Sequence, residues 1–265
     1  AKNDFKKGYE FFLKTGVTPE KAYKALVSLY CQTNGFFNET EQNRIRMMNP
    51  PRKISGTVTG VLGSLAREDF ARINEALQKD GYAPLATKLP KEIVAKLCEY
   101  ARTTQAIVPP AYDRGIVYDP EHPIAEIYRF RPNDLVSNQE VQALIKDPIL
   151  INIARNYLGS EPIFDFPAMW WSTTFLKEAS SEAAQLYHFD LDRIKWLKLF
   201  VYLADVTPET GPHYYIRGSH KPGNKPLKLL KHGYTRIPDT DLEPCYKKED
   251  VVEVCGEAGT MFVGD

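Results

Sequence analysis

The sequence is poor in cysteine and has no excess of charge of either sign. Its 265 residues include four cysteines, and no two of them stand in a Cys-x-x-Cys arrangement. This spacing indicates neither a zinc knuckle nor a disulfide framework, and we expect a reducing, cytoplasmic environment. Lys plus Arg and Asp plus Glu number 34 each, so the net charge is zero. A generic nucleic-acid binder needs a broad positive surface and is therefore not expected.

Long apolar runs are also missing. No stretch approaches the roughly 18 apolar residues that a membrane-spanning helix requires, and charges interrupt the first residues every few positions. Neither membrane insertion nor secretion is therefore expected. The composition itself, 43% hydrophobic and 26% charged residues, excludes a disordered class. At this length we expect one large domain or two small ones.

The sequence pattern divides the chain into a largely helical first part and a β-rich second part. Caps and helical spacing predict helices over about 19–32, 66–79, 90–102, 137–145 and 147–159, with a short strand near residue 82. The Asn-rich stretch, Pro50-Pro51 and the glycines at 56, 60 and 63 that follow are interpreted as a linker or a surface-crossing segment. The proline-rich middle of the chain is interpreted as loops. From about residue 160, short segments rich in aromatic and β-branched residues alternate with turns. This pattern predicts a β core of the sandwich or barrel type.

One pair of side chains in the β region suggests metal chemistry. His188 and Asp190 lie two positions apart in a predicted strand, so both would point to one face while Phe189 packs in the core. An imidazole, a carboxylate and one more His form the facial triad that holds Fe(II) with positions open for substrates. The triplet alone is a weak signal, since chance produces it in roughly one such chain in three. The alternative is a hydrogen-bonded or exposed pair.

The surrounding residues extend this pair into a longer motif. Gln185 precedes His188 by three positions, and YLADV at 202–206, Gly-Pro at 211–212 and Gly-Ser-His at 218–220 follow in order. This succession resembles the phytanoyl-CoA dioxygenase family, and the resemblance covers about residues 76–265. It implies an α+β fold whose core, over 76–265, is a double-stranded β-helix (jelly roll) with flanking helices. Residues 1–75 would then form an N-terminal helical extension.

The resemblance also implies a reaction. In that family, O2 and 2-oxoglutarate react at Fe(II) to give succinate, carbon dioxide and a ferryl species that hydroxylates a small-molecule substrate. His188 and Asp190 would be the catalytic metal ligands, and Gln185 a hydrogen-bond donor to the oxo acid. The Asp190 carboxylate fills the position that related halogenases leave open for chloride, so hydroxylation is expected rather than halogenation.

The third metal ligand is not assigned within the chain. In the family, a distal His and an Arg that grips a carboxylate of the oxo acid follow a G-T-x-F-x-x-D strand, which is here GTMFVGD at 259–265. Both are expected beyond Asp265, and the 265-residue form is expected to hold little or no iron. Within the chain, His213 is a candidate substrate contact, with ordinary packing as the alternative. His220 is expected to have a structural role in its turn rather than to bind metal.

Other side chains of the β region complete the candidate site. Lys198 and Tyr202 lie on the mixed face of one predicted strand and are candidates for binding the oxo acid. Lys198 could instead reach an acidic group of the substrate or extend to the surface. Trp171 is a candidate wall of the substrate cavity, with core packing as the alternative. His122 and His232 are expected at the solvated surface.

Two alternative functions stay open at this stage. One is a non-catalytic jelly-roll binding protein, and the other is a cupin-like metal isomerase or lyase that uses no oxo acid. The sequence does not choose the substrate, because one fold serves many chemistries, and it leaves the oligomeric state open.

Overall fold

Helices and short antiparallel strands share the chain, as the sequence predicts. The computed structural model describes residues 1–53, 56–109, 111–175, 185–231 and 236–265. Its α-helices are α1 Lys2–Thr15, α2 Glu20–Gln32, α3 Phe36–Met48, α4 Arg67–Asp80, α5 Lys91–Thr103, α6 Pro132–Ser137, α7 Gln139–Ile145, α8 Pro148–Leu158, α9 Leu227–Lys231 and α10 Asp239–Leu242. Its strands are β1 Val58–Gly60, β2 Gly63–Leu65, β3 Tyr82–Pro84, β4 Ala106–Val108, β5 Ala111–Ile116, β6 Ile127–Arg129, β7 Trp170–Ser172, β8 Lys198–Val201, β9 His213–Ile216, β10 Val251–Val254 and β11 Met261–Gly264. No helix in the described ranges is long and apolar enough to cross a membrane.

Three helices form the N-terminal part of the chain. α1 and α2 approach closely because Gly8 lacks a side chain: a Cβ there would lie 2.0 Å from the Cβ of Ala22. α3 occupies the Asn-rich part of the segment that was interpreted as a linker or a surface-crossing segment, and for Phe36–Met48 that interpretation is wrong. Tertiary contacts stabilise this helix in spite of its polar sequence, since Asn38 is buried and donates a hydrogen bond to the Ile194 carbonyl oxygen.

The predicted helices of the central region have clear local signals. α8 begins after Asp147, whose carboxylate accepts from the backbone N–H groups of Ile149 and Leu150 at 3.0 Å each. The same carboxylate accepts from Val61 N–H at 2.6 Å and so joins the β1–β2 hairpin to the helix. The predicted cap at Ser137 is wrong by one residue: Asn138 caps α7, with its side chain accepting from Val141 N–H.

Four small antiparallel sheets are present in the described residues. Their strand orders are β1–β2, β10–β9, β3–β11–β8 and β5–β4–β6–β7. The last of these lies largely in the middle region that the sequence analysis interprets as loops. Strands of three residues are too short for periodicity to show, and this sheet is held by buried neighbours such as Ala106, Tyr128 and Phe130.

An aromatic layer joins two of the sheets. Phe200 of β8 and Phe262 of β11 stack with ring centroids 4.8 Å apart, and His213 of β9 lies 4.5 Å from Phe200. Tyr215 of β9 fits only because residue 264 is glycine, since a Cβ there would lie 2.1 Å from the Tyr215 hydroxyl. The sheets β3–β11–β8 and β10–β9 therefore contact each other through side chains. Within the described ranges they do not amount to a complete double-stranded β-helix.

Candidate active site

The segment that carries His188 and Asp190 is less regular than predicted. The sequence pattern predicts a strand here, but among the described residues of this segment only Tyr187 forms a bridge, an antiparallel one with Ile237. From Leu191 onward the chain bends. The two functional side chains still converge, with His188 Nε2 lying 3.9 Å from Asp190 Oδ1.

The protonation of His188 is set by its neighbours. Its Nδ1 lies 2.8 Å from the carbonyl oxygen of Leu186, and because a carbonyl only accepts, Nδ1 carries the proton. In the neutral ring, Nε2 is then unprotonated and presents a lone pair on the side of Asp190. Burial lowers the pKa of His188 and outweighs the opposing effects of Leu186 and Asp190. The imidazole is therefore held in the form that binds a metal ion.

Asp190 is held in its ionised form. Burial acts to raise its pKa, but the charge of Lys198 and its hydrogen bond to Asp190 Oδ2, assisted by His188 and Arg236, bring the pKa below its usual value. The two carboxylate oxygens thus differ: Oδ2 accepts from Lys198, and Oδ1 lies toward His188. The Lys198 ammonium also lies 5.0 Å from the ring of Trp196. A role for Lys198 in binding the oxo acid stays a prediction.

His213 lies in the aromatic layer near this pair. Phe200, Tyr215 and Phe262 surround its ring, with centroids 4.5, 5.5 and 5.7 Å away. Burial, assisted by the charge of Lys198, lowers the pKa of His213 to about 4, so the ring is neutral near pH 7. Its role as a substrate contact stays a prediction.

Tyr202 and Trp171 have structural partners. The Tyr202 hydroxyl donates to the Val254 carbonyl oxygen at 2.7 Å and accepts from His213 N–H at 3.2 Å. The Trp171 indole N–H donates to the Ala101 carbonyl oxygen at 3.1 Å, and its ring stacks on Tyr118. These contacts account for both side chains by packing. Their predicted roles, in binding the oxo acid and in lining the substrate cavity, are untested predictions.

The remaining candidates have separate surroundings. Gln185 is exposed, and its role as a donor to the oxo acid stays a prediction. His220 packs so closely on the backbone of Gly81 that a Cβ there would lie 2.6 Å from its Nδ1, which accords with a structural role. His122 is exposed and pairs with Asp119, as expected, and His232 lies outside the described residues.

Sequence reasoning missed the part that the N-terminal helices play at this site. Tyr30 of α2 lies against Phe189, with ring centroids 5.9 Å apart, and it shares an apolar cluster with Leu191. Ile194 packs against a cluster formed by α1 and α2. The N-terminal helices therefore pack directly against the irregular segment that carries His188 and Asp190.

Arg193 adds a polar connection to the same helices. Its guanidinium donates to Thr18 Oγ1 at 2.9 Å and to Asp165 Oδ1 at 2.7 Å, and it lies 4.3 Å from the centre of the Phe12 ring. No motif marks this residue. In the sequence, only its position three residues after Asp190 indicates that it could lie near the site.

The donors at this site fit a non-haem iron centre in part. A neutral imidazole nitrogen and an ionised carboxylate oxygen are two of the three protein ligands of the Fe(II) facial triad. In the part of the chain that the structure describes, no group of three His, Cys, Asp or Glu side chains is placed to hold a metal ion. The expected third ligand beyond Asp265 stays a prediction.

Comparison with known proteins assigns the chain to a family. The sequence model of the phytanoyl-CoA dioxygenase family matches residues 77–264, so the chain belongs to this family, whose members generally depend on Fe(II) and 2-oxoglutarate. Among curated proteins, an ectoine dioxygenase from Sphingopyxis alaskensis is 27% identical in an alignment of 220 positions that covers 74% of this chain and 67% of that protein. No solved structure matches the chain.

Proposed function

We propose that the protein is an Fe(II)- and 2-oxoglutarate-dependent dioxygenase that hydroxylates a small molecule. The observation that supports this most is the convergence of His188 Nε2 and Asp190 Oδ1, in the protonation states that bind metal, within a chain of this family. The similarity to an ectoine dioxygenase supports the dioxygenase class, and at 27% identity it does not identify the substrate.

We assign His188 and Asp190 as the residues that hold the metal. When bound, Fe(II) together with 2-oxoglutarate and O2 supplies the oxidation that converts a C–H bond of the substrate to C–OH. The Leu186 carbonyl holds the proton on Nδ1 of His188, and Lys198 stabilises the ionised Asp190. The aromatic residues around His213 exclude water from the neighbouring side of the site.

We also propose that the β core is a jelly roll. The support is the packing of β3–β11–β8 against β10–β9 through the aromatic layer, which is the arrangement of two facing antiparallel sheets. The N-terminal helices, in this proposal, are part of the same catalytic unit, because they pack on the segment that follows Asp190.

The test uses the protein and its variants at the proposed metal site. Each is loaded anaerobically with Fe(II), 2-oxoglutarate is added, and the visible charge-transfer band is recorded. Succinate is then measured after oxygen is admitted. We expect the band and succinate from the full-length protein, loss of both in His188→Ala and Asp190→Asn, and no change in the matched control His122→Ala.

The alternatives predict different results. A metal isomerase or lyase would bind the metal without consuming 2-oxoglutarate, and a non-catalytic binding protein would give neither band nor succinate. Stoichiometric iron in the 265-residue chain, bound by His188, Asp190 and a third residue within it, would refute the expectation that the third ligand follows Asp265.

A further inference from the structure

We infer that Arg236 forms a carboxylate-binding subsite beside His188 and Asp190. The inference rests on the proposed function, because it concerns an anionic group of a molecule bound at that metal site. The carboxylate belongs either to 2-oxoglutarate or to the substrate that is oxidised, and the experiment below separates these sources.

The register of one β-bridge places Arg236 at the site. Ile237 N–H donates to the Tyr187 carbonyl oxygen at 2.7 Å, and the two residues form an antiparallel bridge. In an antiparallel pair the preceding residue of one strand lies opposite the following residue of the other, so Arg236 lies opposite His188.

The two faces of this bridge have different characters. Ile237 and Tyr187 both pack into an apolar cluster with Ile216. Since successive side chains of extended chain point to opposite faces, Arg236 and His188 share the other face. The side chain of Asp190 joins them there, close to His188. The charge of Arg236 acts on the pKa of both His188 and Asp190, which agrees with this placement.

One end of the Arg236 guanidinium lacks a partner in the described residues. Its Nη1 is buried and makes no hydrogen bond there. A buried donor without an acceptor lowers the stability of the folded protein. An acceptor on a bound ligand would remove this cost, which is a reason to find such a donor at a binding site. A planar guanidinium offers parallel N–H donors that match the two oxygens of a carboxylate.

The nearby Asp190 carboxylate has a cationic partner of its own. It accepts from Lys198 through Oδ2. In the part of the chain that the structure describes, Nη1 of Arg236 is therefore left for an acceptor that a ligand supplies.

The first arm of the test measures 2-oxoglutarate binding to the anaerobic, Fe(II)-loaded, full-length protein through the charge-transfer band. The variants are Arg236→Met and Arg236→Lys, and the matched control is Arg217→Met, which removes the same charge from an exposed side chain. If the carboxylate is that of the cosubstrate, we expect the Kd for 2-oxoglutarate to rise about tenfold or more in Arg236→Met, less in Arg236→Lys, and not in the control.

The second arm uses metal-free protein and does not depend on activity. Thermal shifts are measured with paired probes: glutarate and glutaramide, and each of several L-amino acids with its primary amide. If the carboxylate belongs to the substrate, at least one acid stabilises the wild type and the Arg217→Met control more than its amide does. Arg236→Met loses this difference.

The outcomes separate the subsite from the proposed function. A wild type without the band or succinate refutes the proposed function, while the second arm still tests Arg236. If Arg236→Met equals Arg217→Met in both arms, the subsite is refuted. A merely structural Arg236 would instead lower the Tm of the ligand-free protein on substitution by Met, and that result also overturns the inference. We expect the Tm of Arg236→Met to equal or exceed that of the wild type.

Discussion

We expect the half-buried His213 ring to make the metal-free protein less stable in mild acid. Burial lowers the pKa of His213 to about 4, whereas the same group in the unfolded chain titrates near 6.5. Between these values the unfolded chain binds a proton that the folded protein does not, so stability is fully present above about pH 6.5 and falls as the pH drops toward 4. At pH 5, proton binding to this histidine favours the unfolded chain over the folded protein by a factor of about 30. His213 therefore contributes about 2 kcal/mol to the loss of stability.

Urea unfolding of the metal-free protein at pH 7.5 and pH 5.0 measures this effect. His213→Phe keeps a ring against Phe200 and removes the titration, so its free energy of unfolding should fall by about 2 kcal/mol less than that of the wild type between the two pH values. His122→Gln, which alters an exposed histidine, should follow the wild type. An equal loss in His213→Phe and the wild type would refute the reasoning.

Three further substitutions test contacts around the site. Arg193→Ala should lower the free energy of unfolding by about 2 kcal/mol in urea titrations, because it leaves the buried Asp165 carboxylate without its cation. Lys198→Met should raise the pKa of Asp190 and so shift the acid limb of metal binding to higher pH, as measured by metal titration from pH 5 to 8. Gly264→Ala should cost about 1–3 kcal/mol in thermal or urea unfolding, because its Cβ would lie 2.1 Å from the Tyr215 hydroxyl.

Matched variants give these three predictions their controls. Arg193→Lys keeps the charge and should recover part of the lost stability. For Lys198→Met, the exposed Lys21→Met should leave the acid limb unchanged. Gly223→Ala adds a Cβ with no atom within 4 Å and should be nearly neutral. Equal effects in a variant and its control would contradict the contact that the variant tests.

Local signals in the sequence were sufficient for part of the fold. α2, α4, α5 and α8 were predicted because the apolar spacing of each helix lies within its own segment, and for α8 the Asp147 cap adds a second local signal. α3 was not, because its stability comes from contacts distant in sequence, such as Asn38 with Ile194. The same holds for the three-residue strands of the middle region, which depend on neighbours in space.

The convergence of His188 and Asp190 was predicted from a β-strand. In the described residues this strand is reduced to a single β-bridge, between Tyr187 and Ile237. The period-two reasoning holds locally because Tyr187 is bridged to Ile237, which fixes the extended backbone at the start of the motif. Beyond Asp190 the positions depend on other elements. Lys198 could be placed near the oxo acid by alternation, but its pairing with Asp190 required the actual bend of the chain.

Two separate parts of the chain contact the segment that carries His188 and Asp190, and one of them is the N-terminal helical region, residues 1–48. On one side Tyr187 is bridged to Ile237, and Arg236 follows from that bridge. On the other, α1 and α2 contact Leu191 and Ile194, which a free β-hairpin would leave exposed. If the metal site is as proposed, contacts on both sides of the His-x-Asp pair would position its side chains, and substitutions in α1 or α2 at these contacts should weaken metal binding. These contacts come from residues that precede the family match, which begins at residue 77.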